Sequence, residues 1–267
     1  MAPKRTRLDL LLAERGLFPS RTAAAAAVRA GQVRIGTDGP IALKPSQEVM
    51  REQEIEVIAS QRYVSRGGIK LANALDTLDL DVKGLNCLDV GASTGGFTDC
   101  LIQRGATHVI SLDVAYGQIE DSMRRHDQVT VIERLNARDL LVSDLEYRPE
   151  LAVIDVSFIS LSKVLDAVRA VMAEESIVLA MVKPQFELGR KRVGRGGVVR
   201  SADDRREAVE TVADYAKELG FSLLGVAPTG LPGPKGNLET FIKLGLGSHE
   251  GDPGADTGAA LCEGVDL

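Results

Sequence analysis

The 267-residue chain contains no tryptophan, and aromatic residues make up only 4% of it. A protein that grips single-stranded nucleic acid mainly by stacking bases on aromatic platforms needs more of them, so shape and phosphate recognition would have to dominate any such binding. Cysteine is also scarce. Cys87, Cys100 and Cys262 form an odd set without paired spacing, which gives no disulfide framework and suits a reducing cytosol. No run approaches the ~18 apolar residues that a membrane helix requires. The apolar stretch near the N-terminus, interrupted by Asp9 and Glu14, is too short for a secretory signal. These absences predict a cytoplasmic protein without membrane attachment. An overall positive charge is missing too: 32 Lys and Arg stand against 38 Asp and Glu, a net charge of −6, which argues against a general nucleic-acid binder.

The charge is unevenly spread, however. Residues 1 to 35 hold seven basic groups (Lys4, Arg5, Arg7, Arg15, Arg21, Arg29 and Arg34) against Asp9 and Glu14, a balance of +5. The last 20 residues, from Ser248, hold five acids and no Lys or Arg. One end can face phosphate, and the other repels it. Within the basic end, Leu8, Leu11 and Leu12 lie at helical spacing and Gly16 is placed to end that helix. Ser20 is a plausible N-cap ahead of Ala23 to Ala27, Gly31 is the stop, and "QVRI" then alternates like a strand. "EIEVIA" closes the unit near residue 60. With "RLDLLLAERGL" and "SRTAAAAAVRAGQVRIG" in this order, residues 1–60 resemble the small α+β RNA-binding domain named after ribosomal protein S-four. The resemblance implies that Arg5, Arg7, Arg21, Arg29 and Arg34 contact RNA phosphates, adding affinity without sequence preference.

From Asn86 the pattern changes. "NCLDVGA", "HVISLDV", "VTVIERL", "LAVIDV" and "SIVLAMVK" are short, rich in Val, Ile and Leu, and apolar on both faces, as strands of a helix-covered parallel sheet must be. Helical segments are expected at about 97–104, 117–126, 161–172 and 203–219, and "SLLGVAPT" and "ETFIKLGLG" supply two final strands. The expected architecture is a Rossmann-like, doubly wound α/β domain over 71–247, its ligand crevice at the carboxyl ends of the strands. Residues 61–70 read as an interdomain linker, and the acidic, glycine-rich segment 248–267 as a disordered tail.

The first of these strands runs into "DVGASTGGF". Gly91, Gly95 and Gly96 would let a ligand approach the backbone, and the following helix N-terminus presents free N–H groups. Asp113, ending the next strand, can accept both hydroxyls of a ribose. These features fit an adenosine-containing ligand without choosing among NAD, FAD and S-adenosyl-L-methionine. "GASTGG" does lack the second glycine of the G-x-G-x-x-G turn that admits a pyrophosphate, which favours a ligand without phosphates. "NARD", from Asn136, falls where such domains contact an adenine edge.

Four charged residues fall at or beside strand ends: Lys70 in "SRGGIKL", Asp155 in "VIDVSF", Lys183 in "AMVKPQFE" and Glu239 in "NLETFIK". Charge beside apolar strands needs a reason, since burial without a partner costs several kcal/mol. Structural ion pairs are the bland reason. The order Lys, Asp, Lys, Glu, with the glycine turn between the first two, resembles the FtsJ family of RNA ribose 2′-O-methyltransferases. Together with "RYVSRGGIKLANAL", "DVGASTGGFTDCL", "DVSFISL", "VKPQFE" and the N-terminal module, the chain to about residue 246 resembles the TlyA family, which methylates cytidine riboses of ribosomal RNA and was once labelled hemolysin.

The resemblance implies S-adenosyl-L-methionine as cofactor and ribosomal RNA, in one or both subunits, as partner; the chain is expected to act as a monomer without a metal. It assigns cofactor binding to Asp89, Gly91, Ala92, Ser93, Thr94, Gly95, Gly96 and Phe97, and to Asp113, Asn136, Ala137, Arg138 and Asp155. Lys183 would activate the 2′-OH, Asp155 would orient Lys183, and Lys70 with Glu239 would complete the charge network and position the ribose. Arg190, Lys191, Arg192 and Arg195, in a glycine-rich basic loop, are expected to meet RNA, with Arg62 and Arg66 extending that path. Tyr63 and Phe158 are candidate stacking residues. Three other readings remain: a pseudouridine synthase, a non-catalytic ribosome-assembly factor and a membrane-lytic protein.

Overall fold

The alanine run begins where its cap stands. In the computed structural model, which describes residues 5–29, 31–37, 39–42, 44–57, 62–189, 192–194, 196–233, 235–248 and 258–262, Ser20 Oγ accepts a hydrogen bond from Ala23 N at 3.1 Å. The chain forms two units, Met1–Arg62 and Tyr63–Leu267. The first contains β1 (Arg5–Arg7), α1 (Leu8–Glu14), α2 (Arg21–Arg29), β2 (Val33–Ile35), β3 (Glu48–Met50) and β4 (Ile55–Val57). Strand β1 pairs antiparallel with β3, and β2 with β4. Leu8, Leu11 and Leu12 from α1 close over Ala24, Ala27 and Val28 from α2. β1 and β3, three residues each, are too short for alternation to reveal them.

The second unit runs α3 (Arg66–Thr77), β5 (Asn86–Val90), α4 (Gly96–Gln103), β6 (His108–Asp113), α5 (Asp121–Arg124), β7 (Val129–Glu133), β8 (Leu151–Ile154), α6 (Leu165–Val171) and β9 (Ser176–Val182). It continues with α7 (Pro184–Glu187), α8 (Ala202–Glu218), β10 (Ser222–Pro228), β11 (Thr240–Leu246) and α9 (Gly258–Leu261). The seven expected strands form one sheet in the order β10-β11-β9-β8-β5-β6-β7. Only β11 runs against its neighbours. The strand order reverses between β5 and β8, and a crevice opens at such a point, beyond the carboxyl ends of the strands. Leu88 and Val90 of β5 pack into the core under α6 and α8, while Cys87 packs into the core under α3 and α4. A strand covered on both sides has no polar face to display, which explains its uninterrupted apolar sequence.

Three expected boundaries differ. Residues 66–70, read as linker, open α3. Two glycines in its first turn, each costing about 1 kcal/mol of helix propensity, disguise the helix. They serve packing: a methyl group on Gly68 would lie 2.4 Å from the Tyr63 side chain and 2.7 Å from Gly96 O. We therefore expect Gly68→Ala to destabilise the protein by about 1–3 kcal/mol through overpacking, and an unchanged urea midpoint would refute this. Second, the helix expected over 117–126 shrinks to α5, preceded by Gly117 at φ +72°. Third, part of the segment read as disordered forms α9. Leu261 and Cys262 there are buried in the core against α8, while 249–257 and 263–267 lie outside the described residues.

Candidate active site

The chain leaves β5 through Gly91, at φ +87°, where a methyl group would come within 2.4 Å of Asp155 O. Only glycine lets the turn lie against the segment that follows β8. Ala92, Ser93, Thr94 and Gly95 then lead into α4, with Ser93 at φ +50° and Gly95 at φ +91°. Asp113, at the end of β6, braces this turn: Oδ2 accepts from Ser93 N at 2.7 Å and Oδ1 from Ala115 N at 2.8 Å. Each carboxylate oxygen has capacity for a second hydrogen bond, so the vicinal hydroxyls of a ribose fit this group.

Asp89 is completely enclosed. Its Oδ2 accepts from Thr98 N at 2.9 Å and from Thr98 Oγ1 at 2.7 Å, while Oδ1 has no hydrogen-bond partner among the described residues. Burial pushes the carboxyl up to about 7. With the carboxyl shut away from solvent, a cationic donor such as the amine of an amino-acid-like cofactor could reach this orphaned acceptor only if the turn around it opened. The other expected cofactor residues differ in how they present themselves. Phe97 is a core residue, its ring 5.8 Å from that of Phe241. Asn136 caps the 3-10 turn at Ala137–Asp139, Oδ1 accepting from Arg138 N at 3.1 Å. The Ala137 side chain belongs to the core and Arg138 is exposed.

The four expected charges, three at strand ends and Lys70 within a helix, form two ion pairs. Lys70, from α3, pairs with Glu239, immediately before β11, and both are buried. Lys183, one residue past β9, has its Nζ 2.5 Å from Asp155 Oδ1, and Asp155 follows β8. The Lys183 ammonium also donates to Ser157 Oγ at 2.8 Å. The ladder between β9 and β11 has Val182 opposite Thr240, so one step further Lys183 faces Glu239. Both pairs thus occupy one end of the sheet, beside the Gly91 turn. Two structural ion pairs would need no such common position, nor a shared edge with the crevice.

The basic residues are more dispersed. Arg7 and Arg21 both bind Asp9, at 2.8 Å and 3.1 Å, and hydrogen bonds from Arg7 above all pull the buried Asp9 carboxyl down to about 2. Much of their charge is therefore spent inside the unit. Arg34 lies 3.8 Å from Glu56, whereas the Arg5 and Arg29 side chains are exposed. Arg62 is exposed, and Arg66 donates to Pro232 O at 3.0 Å. Arg192 pairs with Asp204 at 3.6 Å and with Glu207; Arg190, Lys191 and Arg195 lie outside the described residues. Tyr63 is not a stacking platform: it is 2% exposed, packed between α3 and α4. Phe158 is 89% exposed, at φ +66°, with the Phe186 ring 5.3 Å away.

Several residues near the site carry no signal in the sequence. Asn237, 2% exposed, accepts from Val199 N at 2.9 Å and donates to Gly197 O at 2.8 Å, fastening the glycine-rich loop beside Glu239. Glu187 accepts from Ser160 Oγ at 2.6 Å and Leu161 N at 3.0 Å, and burial raises its carboxyl above the usual range. Asp99 accepts from Val64 N at 2.8 Å, tying α4 to the approach of α3. Single polar residues in polar loops have no period to betray them.

Comparison with known proteins supports the same assignment. The FtsJ-like methyltransferase family matches residues 63–246. The 16S/23S rRNA (cytidine-2′-O)-methyltransferase TlyA of Mycobacterium tuberculosis is 45% identical over 90% of this chain and 90% of its own. Hemolysin A of Brachyspira hyodysenteriae is 33% identical over 87% of this chain and 97% of its own. A solved structure of a hemolysin-named protein from Streptococcus thermophilus superposes with a TM-score of 0.73 at 36% identity, covering 98% of this chain and 95% of the other. No helix among the described residues is long and apolar enough to cross a membrane. By the family match over residues 63–246 and the 45% identity to TlyA over 90% of its length, this chain belongs to the FtsJ-like methyltransferase family, in its TlyA branch.

Proposed function

We propose that the protein transfers a methyl group from S-adenosyl-L-methionine to the ribose 2′-oxygen of cytidine in ribosomal RNA. One observation supports this reading: one buried and one half-buried ion pair lie at the end of the sheet where the glycine turn and Asp113 offer a nucleoside site. The cofactor, when bound, supplies a sulfonium methyl already activated toward a nucleophile. The chain's own residues have to place the hydroxyl and favour its loss of a proton.

A ribose hydroxyl is a poor nucleophile. The Lys183 ammonium would stabilise negative charge as it grows on the oxygen, in a site where neighbouring protein excludes part of the water. Asp155 holds that ammonium by charge, at 2.5 Å, so that the amine is already in place when substrate arrives. Lys70 and Glu239 set a second pair of charges alongside and position the ribose. Asp89 and Asp113 are reserved for the cofactor, one for its amine and one for its ribose. Arg5 and Arg29, exposed on the N-terminal unit, would add phosphate contacts that raise affinity without reading sequence.

The reading is tested by incubating purified protein with radiolabelled S-adenosyl-L-methionine and separated ribosomal subunits from an unmethylated strain. Reverse-transcription stops at low nucleotide concentration then locate the product. Label confined to base positions, or absent from both subunits and from free rRNA, would remove the proposal. Cofactor binding has its own test: Asp113→Ala should raise the Kd for S-adenosyl-L-methionine at least about tenfold, given the worth of hydrogen bonds to a charged acceptor. Titration calorimetry showing unchanged affinity would exclude Asp113 from the cofactor site.

A further inference from the structure

Lys183 has two neighbours in this site, and they do different things. Asp155 Oδ1 lies 2.5 Å from the ammonium, yet it accepts no hydrogen bond in proper geometry. The Asp155 contact is an ion pair whose angles fall outside hydrogen-bond geometry. Ser157 Oγ, at 2.8 Å, accepts a well-formed hydrogen bond from the same nitrogen. An ammonium has three N–H directions, related by rotation about the Cε–Nζ bond, so fixing one of them fixes the set. Ser157 therefore determines where the other N–H bonds of Lys183 point.

The segment that carries Ser157 is itself braced. Residues 155–161 are tied to 183–187 at both ends: by Lys183 to Asp155 and Ser157, and by Glu187 to Ser160 Oγ at 2.6 Å and Leu161 N at 3.0 Å. The Phe158 and Phe186 rings meet between the two ties, with centroids 5.3 Å apart. A hydroxyl on a bracket of this kind is held in place, although Ser157 is exposed. Its own proton has no acceptor described in the protein.

We infer that Ser157 is a positioning residue for methyl transfer, acting by directing the Lys183 ammonium toward the substrate oxygen. This rests on the methyl-transfer reading given above. It adds a fifth side chain to the four charged ones, and a neutral one whose contribution is orientation. Replacing it would leave Lys183 charged, paired and present but free to rotate.

The test uses the full chain with rRNA substrate and S-adenosyl-L-methionine. Ser157→Ala should lower kcat about 10- to 100-fold, the range expected for losing one hydrogen bond to a charged group. KM for RNA, the Kd for cofactor and the melting temperature should stay within experimental error of wild type. Ser157→Thr, which restores the hydroxyl, should recover most of the rate. Wild-type kcat in the alanine variant, a change confined to KM, or failure of threonine to rescue a folded protein would each overturn the inference. An inactive wild type would instead reject the methyl-transfer reading, so the two failures are distinguishable.

Discussion

Lys183→Ala should lower kcat for rRNA methylation by about 10³-fold, within the range that a positioned proton-transfer or charge-stabilising group supplies. Cofactor affinity should change less than about twofold, because in the proposed arrangement Lys183 would meet the nucleophile while the Gly91 turn, Asp89 and Asp113 would hold the cofactor. The fold should tolerate the change. Asp155, left without its ammonium, has a side chain 26% exposed, and water can solvate it. Lys70→Ala provides the contrast. Its partner Glu239 is 2% exposed at the side chain, so the carboxylate would be stranded in the interior at a cost of about 3–5 kcal/mol. One lysine variant is then a folded enzyme with slow chemistry, and the other is unstable before its chemistry can be judged. Single-turnover methylation together with thermal melting separates them. A folded Lys183→Ala protein that methylates rRNA at the wild-type rate would refute the role given to Lys183.

The same contrast separates what the sequence alone makes legible from what only the fold determines. Asp155, Lys183 and Glu239 stand out as charges at the ends of apolar strands, and Lys70 as a charge on the buried face of α3, each against the expectation for a core, and such violations concentrate at functional sites. The seven strands were legible for a related reason: a sheet covered on both sides selects unbroken runs of Val, Ile and Leu. Helix α3 was not, since its first turn uses Gly67 and Gly68 to approach α4 closely, and packing outweighed helix propensity there. Nor could the sequence say that Tyr63 faces inward, because aromatic rings serve cores and ligand platforms alike. Ser157 and Asn237 were hidden more deeply. Their effect depends on hydrogen bonds across 26 residues for Ser157 and 38 residues for Asn237, and pairing at that range is a property of the fold. The basic residues were visible as charge but misleading as free charge, for Asp9 engages both Arg7 and Arg21.

Asp89 should make the stability of the cofactor-free protein fall as the pH rises from about 4 to about 7. The sign follows from its raised carboxyl, which burial holds at about 7 against the ordinary value of 3.8. Between those values the folded protein keeps a proton that the unfolded chain has released, so the unfolded state binds fewer protons and raising the pH favours it. The slope approaches about 1.4 kcal/mol per pH unit for one proton, and flattens above pH 7, where both states are ionised. Asp9 acts in the opposite sense but elsewhere: its carboxyl is held down at about 2, so its contribution is lost only as the pH falls below the ordinary carboxylate range. Glu187, also raised by burial, adds to the slope with the same sign as Asp89. Urea denaturation at pH 5, 6, 7 and 8 of wild type and Asp89→Asn isolates the Asp89 share, since Glu187 is common to both. If the two proteins lose stability in parallel, Asp89 is ionised in the folded state throughout and the account fails. Binding of a cationic ligand at Oδ1 would reverse the preference, because the charged carboxylate is then the favoured form. Cofactor binding near pH 6.5 should accordingly release protons, measurable as a dependence of the calorimetric heat on the ionisation enthalpy of the buffer.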